Sequence, residues 1–207
     1  MHSEIFTKEQ IELLDTLKKF KKDFYMVGGT AIALHIGHRY SIDFDLFTFK
    51  PLNKNKINTV IGGLYKFKPK LIWEDSEQKH LNVNGVKLTF FSYPYKIDAT
   101  EDFENYITIP SLLDLAAMKA LALGGRAKWK DYVDLYFILK NYYSLPQISE
   151  RATQLFGISN FNLKLFKEQL SFFNDINYEE EVNFLKGFEV SEEEIKSFLT
   201  DLATQPF

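Results

Sequence analysis

The order of apolar and polar residues divides the chain into two halves of different character. Thr7-Lys8-Glu9-Gln10 has the form of a capping box, and Ile11, Leu14 and Leu17 follow at helical spacing, predicting a helix to about residue 20. The apolar run 24–27, closed by Gly28-Gly29, predicts a buried strand ending in a tight turn. A short helix follows over 30–36 and is stopped by Gly37. Residues 40–49 alternate as a strand does, and 53–64 have helical spacing. Strands are predicted at 70–74 and 80–83. Asn84-Gly85 is a hairpin signal leading into a further strand at 86–91. After Pro110 the periodicity is helical: 112–123, then 128–142, then amphipathic segments as far as Ala203, with a helix start at Ser191-Glu192-Glu193-Glu194. These elements predict an α+β fold, with a mixed α/β core over 1–109 and a helical lobe over 110–207.

Composition narrows the chemistry. With 45% hydrophobic and 26% charged residues, the 207-residue chain belongs with folded globular proteins and not with disordered ones. Twenty Phe and eleven Tyr predict an aromatic core. The absence of cysteine excludes disulfides, thiolate metal sites and cysteine nucleophiles, so a metal would need oxygen or imidazole ligands. The most apolar helix, LLDLAAMKALAL, is interrupted by Asp114 and Lys119, so no membrane span is predicted and a cytoplasmic location is expected. A net charge of −3 gives the whole molecule no attraction for nucleic acid. Local basic runs exist at 18–22, at Lys66/Lys68/Lys70 and at Arg126/Lys128/Lys130. For the first two, solvated surface lysines are the simpler reading.

The chemically informative stretch is Gly28-Gly29-Thr30 followed by Ser41-Ile42-Asp43-Phe44-Asp45. On a strand, Ser41, Asp43 and Asp45 would share one face, while Ile42, Phe44 and Leu46 would face the core. Two carboxylates two residues apart repel each other, and a hard divalent cation, Mg²⁺ or Mn²⁺, would compensate. The paired glycines let backbone N–H groups approach a phosphate at an electropositive helix start, where Thr30 adds a hydroxyl. Further along, Lys119 lies in a helix whose neighbouring residues are small or apolar. A buried lysine there requires an anion, either a phosphate or a carboxylate.

The segment 24–47, FYMVGGTAIALHIGHRYSIDFDLF, resembles the signature of the AbiEii/AbiGii-type abortive-infection nucleotidyltransferases, within the polymerase-β-like nucleotidyltransferase superfamily. The likeness extends to DLAAMK (114–119) and RAKWKDYVDLYFIL (126–139). It implies a small mixed sheet with flanking helices and a helical C-terminal lobe that completes the site. The implied activity is metal-dependent transfer of a nucleotidyl group from an NTP to an acceptor hydroxyl. The implied acceptor is RNA or tRNA, and the implied setting a toxin with an antitoxin partner. Gly28, Gly29, Thr30 and Ser41 would contact the nucleotide, and Asp43 and Asp45 the metal. Lys119 would reach the triphosphate and Arg126 would assist. An acid of the segment 130–134 would complete the site, Asp134 being preferred to Asp131. His38-Arg39 matches a His-Arg pair common in the family, for which a structural role is at least as good an assignment. One departure stands out: the strand 86–93 carries no acid where many superfamily members have a third carboxylate. That favours, as an alternative, a catalytically weak nucleotide- or RNA-binding module.

Overall fold

The computed structural model describes residues 1–206, which form two compact units, Met1–Ser111 and the chain from Leu112 onward. The first unit is built on a five-stranded mixed sheet of order β1-β2-β5-β4-β3. Its elements in chain order are α1 (Lys8–Ile11), α2 (Leu14–Lys18), β1 (Tyr25–Val27), α3 (Gly28–Ile36), β2 (Phe44–Thr48), α4 (Lys54–Gly62), β3 (Lys70–Glu74), β4 (Gln78–Val83), β5 (Val86–Ser92), and a separate ribbon of β6 (Glu101–Phe103) and β7 (Ile107–Ile109). β2 and β5 run parallel, and the other pairs are antiparallel.

Alternation assigns the two faces of the sheet. Phe44, Leu46, Leu81, Leu88 and Phe90 are buried and face the core. There Phe90 meets Phe20 and Phe24 edge-on, at centroid distances of 4.9 and 5.3 Å, and Phe44 meets Phe6 at 5.9 Å. Asp45, Thr89 and His80, aligned with one another across β2, β5 and β4, belong to the opposite, more open face.

Several predicted boundaries shift for physical reasons. The first helix is two short helices, because the chain turns at 12–13. Gly28 and Gly29 are the first residues of α3 and not a turn before it, and Gly28 takes a left-handed φ of +75°. The strand predicted over 40–49 is regular only from Phe44 to Thr48. Ser41 to Asp43 precede it as irregular chain, and Ile42 is 58% exposed instead of facing the core. This segment is held by long-range bonds. Gln10, buried, closes a capping box with Thr7 and uses its side-chain NH₂ to donate to Ser41 O at 2.8 Å. The ribbon β6–β7 was not foreseen from the pattern of the chain.

The second unit is helical: α5 (Leu112–Leu123), α6 (Trp129–Asn141), α7 (Leu145–Phe156), α8 (Leu163–Leu170) and α9 (Glu192–Thr204). α6 is its axis, burying Tyr132, Val133, Leu135, Tyr136 and Ile138. The Tyr132 hydroxyl donates to Phe172 O at 3.0 Å, so even the largest core side chain has its polar tip satisfied. No described helix is long and apolar enough to cross a membrane.

Replacing Gln10 by Ala should cost about 1–3 kcal/mol, since it strands the buried Ser41 carbonyl and opens the capping box. A lowered urea midpoint at unchanged m would show it; an unchanged midpoint would mean that the bond to Ser41 holds nothing.

Candidate active site

The first group of candidate residues collects around the start of α3. The α3 N-terminus follows β1 directly, and β1 pairs with β2 so that Val27 lies opposite Asp45. A Cβ on Gly28 would fall 2.2 Å from Asp45 Oδ2. The carboxylate therefore occupies the space that any other residue's side chain would fill. A Cβ on Gly29 would fall 2.3 Å from an Arg39 guanidinium nitrogen and 3.3 Å from Ser41 Oγ. The two glycines are thus walled by an acid on one side and a buried arginine on the other. Arg39 also donates to Tyr40 O at 2.9 Å, which pins the bend that leads into Ser41. Thr30 Oγ1 lies 2.9 Å from Ser41 Oγ and donates to the carbonyl of Asp43, so Thr30 and Ser41 position the loop before β2.

Asp43 and Asp45 are both half-buried. The Asp45 carboxylate forms no hydrogen bond or ion pair with any described residue, although it stands at a helix start, where anions are favoured. An open carboxylate and its neighbour, next to backbone N–H groups able to face phosphate, suit a hard divalent cation that keeps waters and takes the rest of its ligands from substrate. No group of three or more His, Asp or Glu among the described residues could form a complete protein cage, so two carboxylates are the donor set on offer.

The neighbouring strands define the ground beside Asp45. Thr89 of β5 pairs with Asp45 and is buried, so the position nearest the two acids on that strand holds a hydroxyl and no carboxylate. His80 of β4 pairs with Thr89. Burial, and then the charge of Lys87, hold the His80 imidazole below its usual pKa, while Asp45 and Asp75 pull it upward. Further along the same face Tyr25, Phe47, Phe91 and Tyr93 gather, with Phe47 and Phe91 edge-on at 5.0 Å. Burial raises the Tyr25 and Tyr93 hydroxyls above their usual range, so both act as neutral groups.

The second group lies within the helical unit. Gly124 and Gly125 end α5, and the chain re-enters a helix at Trp129. Lys119 of α5 places its Nζ 2.6 Å from Asp131 Oδ1 and 3.0 Å from Asp134 Oδ2 of α6. Lys119 is 5% exposed and both acids 0%. The half-exposed Arg126 brings its Nε to 3.3 Å from Asp131 Oδ2, which makes the four charges neutral in sum. The anion expected beside Lys119 is thus a pair of carboxylates. Asp134 is wholly buried, and Lys130 reaches Glu180. Burial alone would raise Glu180, but Lys128 and Lys130 outweigh it and hold that carboxyl at about 2. His38 is wholly buried, as suits a structural role.

Comparison with known proteins places this geometry. The family model for the nucleotidyl transferase AbiEii toxin of type IV toxin–antitoxin systems matches residues 12–96 and 86–205. The chain belongs to the AbiEii nucleotidyltransferase toxin family. It is accordingly an enzyme of the nucleotidyltransferase class with the polymerase-β-like fold. An uncharacterized protein of Aquifex aeolicus is 30% identical over 179 residues, covering 83% of this chain and 85% of its own length. The AbiEii chain is similar in fold to MenT4, a nucleotidyltransferase toxin of Mycobacterium tuberculosis, with a TM-score of 0.61 at 12% identity over 95% of this chain and 82% of the other. It is similar in the same way to JHP933 of Helicobacter pylori, with a TM-score of 0.59 at 15% identity over 97% and 90%.

Around these candidates the structure gathers residues that the motif alone did not single out. Gln10 and the open-face residues Thr89, His80 and Trp73 are set by tertiary pairing, and no local spacing marks them. Arg39 carried a signal in its motif position, and the Gly29 contact now gives it a definite task.

Gly28→Ala combines a forbidden φ with a clash at Asp45. Gly85→Ala has a similar φ of +85° but nothing within 4 Å of the added carbon, so it isolates the backbone cost. Gly85→Ala should lose about 1–2 kcal/mol of stability, and Gly28→Ala more, by the cost of displacing Asp45. Only Gly28→Ala should also lose nucleotide binding; equal binding by both variants would detach Gly28 from the site. In the helical unit, Lys119→Met leaves two buried carboxylates short of a cation and should cost about 3–5 kcal/mol. Adding Asp131→Asn and Asp134→Asn should restore most of that loss in chemical denaturation, and no restoration would mean that Lys119 matters through packing alone.

Proposed function

We propose that this AbiEii chain transfers a nucleotidyl group from an NTP to an acceptor hydroxyl with release of pyrophosphate, and that the acceptor is RNA, tRNA included. The observation that carries the reading is the open Asp45 carboxylate lodged against Gly28 at the start of α3. The bond that forms joins the acceptor oxygen to the α-phosphorus. The bond that breaks joins that phosphorus to the leaving pyrophosphate, and the acceptor proton passes to solvent or to a base. Phosphoryl-type transfers of this kind need positioning and charge stabilisation more than covalent chemistry from the protein.

In this reading Gly28 and Gly29 present backbone N–H groups to the phosphates, while Thr30 and Ser41 hold the loop that carries Asp43. Asp43 and Asp45 would hold Mg²⁺ or Mn²⁺, which when bound offsets charge on the triphosphate. Lys119 and Asp134 are residues the reaction needs, with Arg126 as an auxiliary cation. Thr89 cannot act as a base, so β5 adds no third carboxylate beside Asp45. The toxin–antitoxin setting of the family supports a growth-restraining role in the cytoplasm, countered by an antitoxin.

Each α-³²P-NTP in turn, with Mg²⁺ or Mn²⁺ and total RNA or deacylated tRNA, would test the proposal. Label should enter RNA from one preferred NTP and fall by about 10²-fold or more in Asp45→Asn. Label on protein would refute the RNA acceptor. Binding of NTP with no transfer to any acceptor would refute the enzyme reading of the site and leave a binding module.

A further inference from the structure

The edge strand β3 carries three consecutive large apolar residues in the open, Leu71, Ile72 and Trp73. Its register with β4 is irregular at this point. Leu71 pairs with Leu81 and Trp73 with His80, so Ile72 is the extra residue of a β-bulge. Bulges re-aim side chains. Without this one, Leu71 and Trp73 would share the core face; with it, Trp73 crosses to the open face. There its ring lies edge-on to His80, with centroids 5.4 Å apart. The same shift sets Glu74 opposite Lys79, where the two form an ion pair, so the bulge is anchored on its far side.

The result is a row across the open face: Asp45, Thr89, His80, Trp73. At the usual spacing of neighbouring strands Trp73 stands about 14 Å from Asp45. A second row runs beside it, in which Lys87 pairs with Asn82 and Asn82 with Lys70. Neither Lys87 nor Lys70 forms an ion pair with any described residue. Trp73 is 48% exposed and His80 is partly exposed beside it. Two open cations in one row and two aromatic rings in the next form the combination that tracks a single-stranded nucleic acid: phosphates along the lysines, bases stacked on the rings. A protein strand added to this edge is less favoured, because the bulge breaks the regular ladder such pairing requires.

We infer that the open sheet face formed by Lys87, Lys70, His80 and Trp73 binds the single-stranded end of the RNA acceptor, with Trp73 as its stacking platform. This rests on the reading of the chain as an RNA-modifying nucleotidyltransferase. The row leads from Trp73 to Asp45, so a strand bound on it delivers its terminal hydroxyl to the acids.

The test uses the whole chain and a short unstructured RNA oligonucleotide. Trp73→Ala should weaken RNA binding by about tenfold in anisotropy, and Trp73→Phe should keep most of it. Lys87→Gln should reduce the slope of log Kd against log salt by about 1. NTP affinity should stay unchanged in all three. With Trp129→Phe as background, Trp73 is the only tryptophan, and RNA should quench its fluorescence. If wild-type protein labels RNA while Trp73→Ala binds RNA as wild type does, the inference falls and the proposed function stands. If RNA neither binds nor takes label, both fall. A parallel loss of NTP affinity in Trp73→Ala would assign the face to the donor and overturn the inference.

Discussion

The first unit depends on one close approach, the Asp45 carboxylate against the Cα of Gly28. A carboxylate beside a helix start is ordinarily drawn into a capping bond and satisfied there. Here Gly28 sits in a left-handed conformation and has no Cβ, so the acid comes close without acquiring a hydrogen-bonding partner. The register β1–β2 brings them together, with Val27 opposite Asp45, and that register is in turn secured by the buried alternation of Phe44 and Leu46. Core packing thereby sets the position of an acid that contributes nothing to the core. An open charge is costly in the free protein and is kept where a ligand repays it.

The helical unit solves the opposite problem. Lys119, Asp131 and Asp134 are removed from water almost completely and satisfy one another, with Arg126 closing the balance at the surface. A buried group of this kind is weak evidence for stability, because apolar residues of equal volume would often serve as well. Asp131 Oδ2 is the atom that makes this concrete: it is buried, forms no hydrogen bond, and has only the offset Arg126 Nε at 3.3 Å. Arg126 is half exposed, so this contact lies where the buried cluster meets the surface.

Much of this was legible in the chain, for identifiable reasons. The hairpin at Asn84-Gly85, the helix within 53–64 and the helical run 112–123 are local features, and local chemistry decides them. The pairing of Gly-Gly with Asp-x-Asp was legible because close packing needs both partners, whatever the distance between them in sequence. Ile42 was misplaced because alternation was extended past the point where strand pairing ends. From Ser41 to Asp43 the backbone answers to Gln10 and Thr30, partners 31 and 13 positions away, which no periodicity within the segment can reveal. The anion for Lys119 was required by burial, but its identity was not, since phosphate and carboxylate satisfy the same requirement.

The bulge at Ile72 extends that lesson from position to chemistry. Read as a regular strand, KLIWE would turn Leu71 and Trp73 toward the core together. One extra residue reverses the second of them and sets an aromatic ring in line with His80, Thr89 and Asp45. The exposed apolar surface that results is a liability on an edge strand, and the bulge that creates it also limits the hazard by disrupting further strand pairing. The two lysines beside it add a preference: an apolar ring flanked by open cations favours a stacked, anionic ligand over an apolar protein face. The sheet therefore divides its labour between its sides, one packed for stability by aromatic contacts with Phe90, the other holding open acid, cation and ring in consecutive strands.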